Sequence, residues 1–137
     1  MSINYLAVIV ASVAEFIIGA IWFMPIFGRL WGKIHGFKKL TKEEQKKAQS
    51  KMIPMLLLQF IVTIVTTIVL AKFIVLLPNY SAYLLAILLW IGFVVPTQVA
   101  AVIFGGTDPK WIITKTLIMN GGSVICLIVA TAILKAM

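Results

Sequence analysis

Apolar residues along this chain gather into four long runs rather than an alternating or amphipathic rhythm. Residues 3–27 carry one charge (Glu15), residues 52–77 one (Lys72), residues 82–104 none, and residues 111–134 one (Lys115). Each run holds 23 to 26 residues. A hydrocarbon layer about 30 Å thick needs about 20 helical residues, so every run can cross it with some tilt. Membrane β-strands would alternate polar and apolar positions over about 10 residues, and these runs of Ile, Leu and Val do not. β-branched residues favour strands in water, but in lipid the helix wins because it closes its own backbone hydrogen bonds. The pattern predicts an all-α membrane protein. Four transmembrane helices form a single domain over residues 1–137, with a short interfacial helix and a basic cytoplasmic loop between the first two.

Composition removes the main alternatives. The chain is 62% hydrophobic and 12% charged, against about 45–50% and about 25% in soluble domains. A water-soluble globule is excluded, and so is disorder, which goes with poverty in Ile, Val, Leu and Phe. The lone cysteine, Cys126, has no partner for an internal disulfide, sits between Ile125 and Leu127, and reads as an inert packing residue. No Cys/His cluster, phosphate loop, nucleophile elbow or pair of carboxylates is present, so neither an enzyme nor a metal or cofactor is expected. The first run is expected to be retained rather than cleaved as a signal peptide. It lacks a basic start, is too long, and has Trp22, Pro25 and Phe27 where a small-residue cleavage site would fall.

Charge sets the expected orientation. Eight of the twelve basic residues lie between Gly28 and Lys51, opposed only by Glu43 and Glu44. Basic short loops stay in the cytoplasm, which puts both termini and the Pro78–Tyr80 turn outside the cell membrane and the Gly105–Lys110 connection inside. Ten basic residues then lie inside and two, Lys72 and Lys135, outside. Between two spans, this loop reads as a topology signal that attracts anionic lipid headgroups, not as a nucleic-acid surface. Within it Phe27, Leu30, Trp31, Ile34 and Phe37 recur at helical spacing, which predicts a short helix lying in the interface. Thr41 precedes Glu44 by three residues, a capping pattern that starts the next helix. Pro54 is expected to kink or break that helix where it enters the bilayer.

Polar residues inside the runs are the only chemical clues. Glu15 lies twelve residues from either end of the first run, near the midplane. Intramembrane carboxyl groups face a bundle interior or a water cavity and often mark proton or ion paths. Glu15 is therefore a candidate proton carrier; the plainer alternative is an acid that donates one interhelical hydrogen bond and fastens helices. Ser12, Glu15, Gly19 and Trp22 share a helical face, on which Gly19 would permit close helix approach. Gln59, Thr63, Thr66 and Thr67 form a stripe on the second span, and Thr116, Asn120 and Ser123 another on the fourth. Gln59, Gln98 and Asn120 all lie about 9 to 14 Å from the cytoplasmic ends of their helices, and Glu15 about 18 Å. Three amides at one level suit either the floor of a small cavity or a set of helix cross-links. Pro96 frees a carbonyl one turn earlier for Thr97, Gln98 or water to pair with. Trp22, Trp31, Trp90 and Trp111 read as interfacial or packing residues.

Two stretches resemble known families. Gly19-Ala-Ile-Trp22-Phe23-Met-Pro25-Ile-Phe27-Gly28-Arg-Leu-Trp31 looks like the end of the first span in the uncharacterised family Domain of Unknown Function 1761. Gly92-Phe93-Val94-Val-Pro96-Thr97 resembles that family's third-span motif, and Trp111 and Asn120-Gly121 match its fourth span. The resemblance covers nearly the whole chain and implies a four-span membrane protein without an activity to carry over; a Glu at position 15 departs from it. Ala11-Ser-Val-Ala14-Glu15-Phe-Ile-Ile-Gly19 is more weakly similar to the first helix of the small multidrug resistance transporters, where an embedded Glu exchanges protons for cationic drugs. The long basic loop departs from their short connections.

Two functions are compatible with these residues. One is a small oligomeric transporter or channel for a small or cationic solute, with Glu15 coupling to protons and Gln59, Thr97, Gln98 and Asn120 lining the way. The other is a non-transporting membrane component that binds lipid or another membrane protein through Trp31 and the basic loop. A unit of this size has little interior in which to enclose a path, so self-association is expected.

Overall fold

The structure, a computed structural model, describes residues 3–137. Helix α1 (Tyr5–Ile21) runs on through a π-helical turn at Trp22–Ile26. The short α2 (Gly28–Ile34) and a 3₁₀ turn (Phe37–Lys39) lead to α3 (Lys42–Leu76). Helix α4 (Ala82–Leu89) joins α5 (Val95–Phe104) through a second π turn at Trp90–Val94, and a 3₁₀ turn (Pro109–Trp111) opens α6 (Ile112–Ala136). Four of the resulting rods are long and apolar enough to cross a membrane: Tyr5–Ile26, Lys42–Leu76, Ala82–Phe104 and Pro109–Ala136. These are the first to fourth spans.

Local sequence sets their ends. The Asn4 side chain accepts a hydrogen bond from the Ala7 amide at 3.2 Å, and Thr41 Oγ1 accepts one from the Glu44 amide at 3.2 Å, as the capping pattern predicts. Gly36, at φ 68°, turns the chain out of α2 in a conformation that disfavours a Cβ. Helix α2 has the expected two faces: Leu30, Trp31 and Ile34 are half-buried, while Arg29 and Lys33 are exposed.

The prolines behave differently from one another. Pro54 does not break its helix, because α3 is continuous from Lys42 to Leu76. Only the Ser50 carbonyl loses its i+4 donor there, and ten mostly polar residues extend the helix ahead of the expected start of the span. Its 35 residues measure about 52 Å, well over the hydrocarbon thickness, so the Lys-rich first turns project beyond it. Pro25 lies inside one π turn, and Pro96 comes two residues after the other. Widened turns of this kind absorb a lost helical hydrogen bond and re-aim the neighbouring side chains.

The first span packs against the fourth and the second, and the third packs mainly on the fourth. Both chain ends therefore lie on one side, where the Asn4 amide donates to the Met137 carbonyl at 3.4 Å. The core is thin and built from small residues: Ala11, Ala86 and Ala130 with Leu70 and Leu127. Small side chains let helices approach closely where lipid supplies no hydrophobic drive for helix association. Outward faces are largely apolar, as at Leu57, Ile61 and Val65 on the second span and Leu84, Leu88 and Ile91 on the third. Apolar surface on this scale suits hydrocarbon and not water.

The closest approach is not at Gly19, where an added Cβ would meet nothing within 4 Å. Among the glycines within the spans, the tight positions are Gly121 and Gly122 of the fourth span, which seat the indole of Trp22. A Cβ at Gly122 would fall 2.9 Å from Trp22 Cδ1, and one at Gly121 3.0 Å from Trp22 Cζ2. The Trp22 Nε1–H donates to the Ile118 carbonyl at 2.8 Å. Gly122→Ala is therefore expected to lower the midpoint of thermal unfolding in detergent, followed by circular dichroism, by an overpacking penalty of about 1–3 kcal/mol. Gly19→Ala should leave the midpoint unchanged or raise it, since Ala is the better helix former. Equal effects of the two substitutions would contradict the seat.

Candidate functional site

Three polar groupings lie within the bundle or at its loop end. The first surrounds Glu15, which is 6% exposed. Its position on α1, one turn beyond the buried Ser12, turns the carboxyl group toward the second span. There Thr67 Oγ1 lies 2.5 Å from Glu15 Oε2 and 2.8 Å from the Thr63 carbonyl. A hydroxyl has one hydrogen to donate. Either Thr67 donates to a Glu15 carboxylate, or it donates to Thr63 while accepting from the hydroxyl of a protonated Glu15. The pair thus has a hydrogen-bonding arrangement for each protonation state. On the other side, the Cys126 thiol points at the Glu15 carbonyl from 3.5 Å.

The second grouping joins the third and fourth spans. Trp90 Nε1–H reaches Ser123 Oγ at 3.0 Å and the Asn120 carbonyl at 3.2 Å. Ser123 Oγ lies 3.1 Å from Gln98 Oε1 and 2.9 Å from the Asn120 carbonyl. Asn120 Nδ2 donates to the Thr116 carbonyl at 2.9 Å, and its buried Oδ1 has no hydrogen-bond partner among the described residues. The π turn beginning at Trp90 carries that indole, as the turn beginning at Trp22 carries the other.

The third grouping is an aromatic tier at the loop end. Ring centroids are 4.7 Å apart for Trp22 and Phe27, 4.7 Å for Phe23 and Trp31, and 4.5 Å for Trp31 and His35. Lys115 Nζ stands 5.6 Å from the Trp31 centroid and ties α2 to the fourth span. Gly28 opens α2 beneath this tier.

The expected level of three amides is only partly assembled. Gln98 reaches Ser123, whose single hydroxyl hydrogen serves either Gln98 Oε1 or the Asn120 backbone carbonyl; the Asn120 side-chain amide bonds its own helix, and Gln59 is exposed on the second span with its side chain in none of these bonds. Thr97 is also exposed, and its hydroxyl folds back onto the Phe93 carbonyl at 2.6 Å rather than onto the Gly92 carbonyl freed by Pro96. Of the Gln59, Thr63, Thr66 and Thr67 stripe, only Thr67 is buried. Two cavities lie at opposite ends of the bundle. One of about 310 Å³ is lined by Lys33, Lys39, Lys110 and Trp111 among others, and one of about 190 Å³ by Asn4, Ala71, Leu134 and Met137 among others. Neither lining includes Glu15 or Asn120. Sequence reasoning missed the buried hydrogen-bonding roles of Trp22 and Trp90. The signals available were the adjacent Gly121-Gly122 pair and a tryptophan eight residues into the third span.

Fold and polar interior together define a four-helix, membrane-spanning bundle held by interhelical side-chain bonds. The family described as Protein of unknown function (DUF1761) matches residues 6–135, and the chain belongs to it. No curated protein and no solved structure matches the chain. Among the residues that carried the resemblance, Trp22 and Gly121 seat the first span on the fourth, and the Asn120 backbone carbonyl accepts from the Trp90 indole.

Thr67→Val removes the hydroxyl and keeps the shape. It is expected to destabilise the bundle by about 0.6 kcal/mol, and by no more than about 1.7, in detergent or bicelle unfolding. Gln59→Leu should have no such effect. A neutral Thr67→Val would contradict the bond to Glu15.

Proposed function

We propose that this protein is a small, proton-linked transporter of the cell membrane that works as an oligomer, with Glu15 as the proton-binding group. The supporting observation is the Glu15–Thr67 pair at 2.5 Å, a buried carboxyl group facing a hydroxyl that can either donate to it or accept from it. Self-association is part of this reading. The cavities of about 310 and about 190 Å³ are lined by residues other than Glu15, and a solute path in this reading uses surface shared between copies. Gln59 and Thr97 are polar, exposed and set in apolar surroundings on the two outermost spans. A second copy would cover them and exclude lipid from their polar groups. Gln98 and Asn120 lie just inside that surface. In this reading the 28–51 loop is cytoplasmic and both termini are outside, as the distribution of lysines favours.

A second reading is favoured by the burial of Glu15 itself. With 6% exposure and a single side-chain partner, it would serve as a fastener between the first two spans of a non-transporting membrane component. Proteoliposomes under an imposed pH gradient, with small cationic solutes as probes, separate the two. Proton-coupled flux is expected in the wild type, and Glu15→Gln, which keeps shape and loses titration, is expected to abolish it. A wild type without flux would leave the fastener reading, and flux that survives Glu15→Gln would remove the coupling role from this residue.

A further inference from the structure

At the loop end of the bundle a cleft of about 310 Å³ opens between two segments some 70 residues apart in sequence. One wall comes from the end of α2 and the turn after it, with Lys33, Gly36 and Lys39; the other comes from the connection into the fourth span, with Asp108, Lys110 and Trp111. We propose that this cleft binds a phosphate group, that of an acidic membrane phospholipid or of a soluble phosphate ester.

Three lysines and one aspartate border the space, so it carries an excess of positive charge. Ammonium groups around one small volume repel each other unless an anion sits among them. The carboxylate that opposes them is partly committed, because Asp108 Oδ1 accepts from the Lys110 backbone amide at 3.2 Å. Lys110, though exposed, has its Nζ 5.8 Å from the Trp111 ring centroid on the cleft wall. Trp111 and Ile34 supply an apolar wall where the spans end, the depth at which lipid headgroups sit. Gly36, in its left-handed conformation, brings backbone without a side chain to the rim. Charge and depth together suit a phosphate with an apolar or glycerol attachment. The site joins a lysine pair from the basic loop to a lysine from a different connection, so it differs from a diffuse attraction of the loop for a charged surface. Nothing in it requires that the bundle transport anything.

The test uses the intact chain in nanodiscs of phosphatidylcholine containing a minor fraction of phosphatidylglycerol, with retained acidic lipid counted by native mass spectrometry. Lys33→Gln with Lys110→Gln removes two lysines of the cleft; Lys46→Gln with Lys47→Gln removes equal charge from α3. General surface attraction weakens similarly in both, so the loss of direct contacts should lower retention about tenfold further in the first variant than in the second. Lys33→Arg with Lys110→Arg should restore it, and unchanged helix content by circular dichroism shows that the variants fold. Glycerol phosphate added in solution assigns the source: displacement of the lipid identifies a soluble ester as a competent ligand, and resistance identifies the lipid. Equal losses in the two Gln variants, no loss in either, or a wild type that retains no acidic lipid and binds no glycerol phosphate would each overturn the proposal.

Discussion

The rest of the structure depends on the seating of one indole ring in a notch made by two adjacent glycines. Trp22 lies so close to Gly121 and Gly122 that a Cβ on either would meet its ring at about 3 Å. Its N–H is spent on the Ile118 carbonyl. Inside hydrocarbon, helices gain nothing by hiding apolar side chains from one another, so association relies on fitted contact and on polar bonds such as these. Shape and hydrogen bond act here at the same point. They fix the depth of the first span against the fourth, and the π turn at Trp22–Ile26 aims the ring.

Register at that point places the other polar groups. With Trp22 against residues 118–122, the antiparallel pairing brings Glu15 level with Cys126, whose thiol meets its carbonyl. Toward its free side the same carboxyl group finds Thr67 on the second span. The third span hangs on the fourth through a parallel device, an indole at the start of a π turn reaching Ser123 and Asn120. Two tryptophans, one on each neighbour, thus grip the fourth span on either side of its Asn120-Gly121-Gly122 segment. The α2 helix, by contrast, is tied down at the membrane edge by ring packing and by Lys115 over Trp31.

Much of the fold was legible because it follows from solvent. Runs of Ile, Leu and Val longer than the bilayer is thick leave the backbone one economical conformation, and Thr41 and the faces of α2 follow equally local rules. What failed to read out depends on which helix lies beside which. Gly19 looked like the point of close approach because it shares a face with Glu15, yet no neighbouring helix comes near it. Gln59 sits at the depth of Gln98 and Asn120, but depth says nothing about azimuth, and its face turns outward. Pro54 left its helix unbroken, whereas Pro25 falls inside a π turn at the end of its span and Pro96 comes two residues after another. For the candidate site, Glu15 was legible as a lone intramembrane acid, while its Thr67 partner was one of four stripe residues that sequence alone ranks equally.

The seat of Trp22 is open to direct observation by nuclear magnetic resonance on the protein in micelles. Packing this close to an indole predicts Hα resonances of Gly121 and Gly122 displaced by its ring current, with nuclear Overhauser contacts to the Trp22 ring that disappear in Trp22→Leu. Glycine resonances at ordinary positions, with no contact to Trp22 in a folded four-helix sample, would contradict the account at its centre.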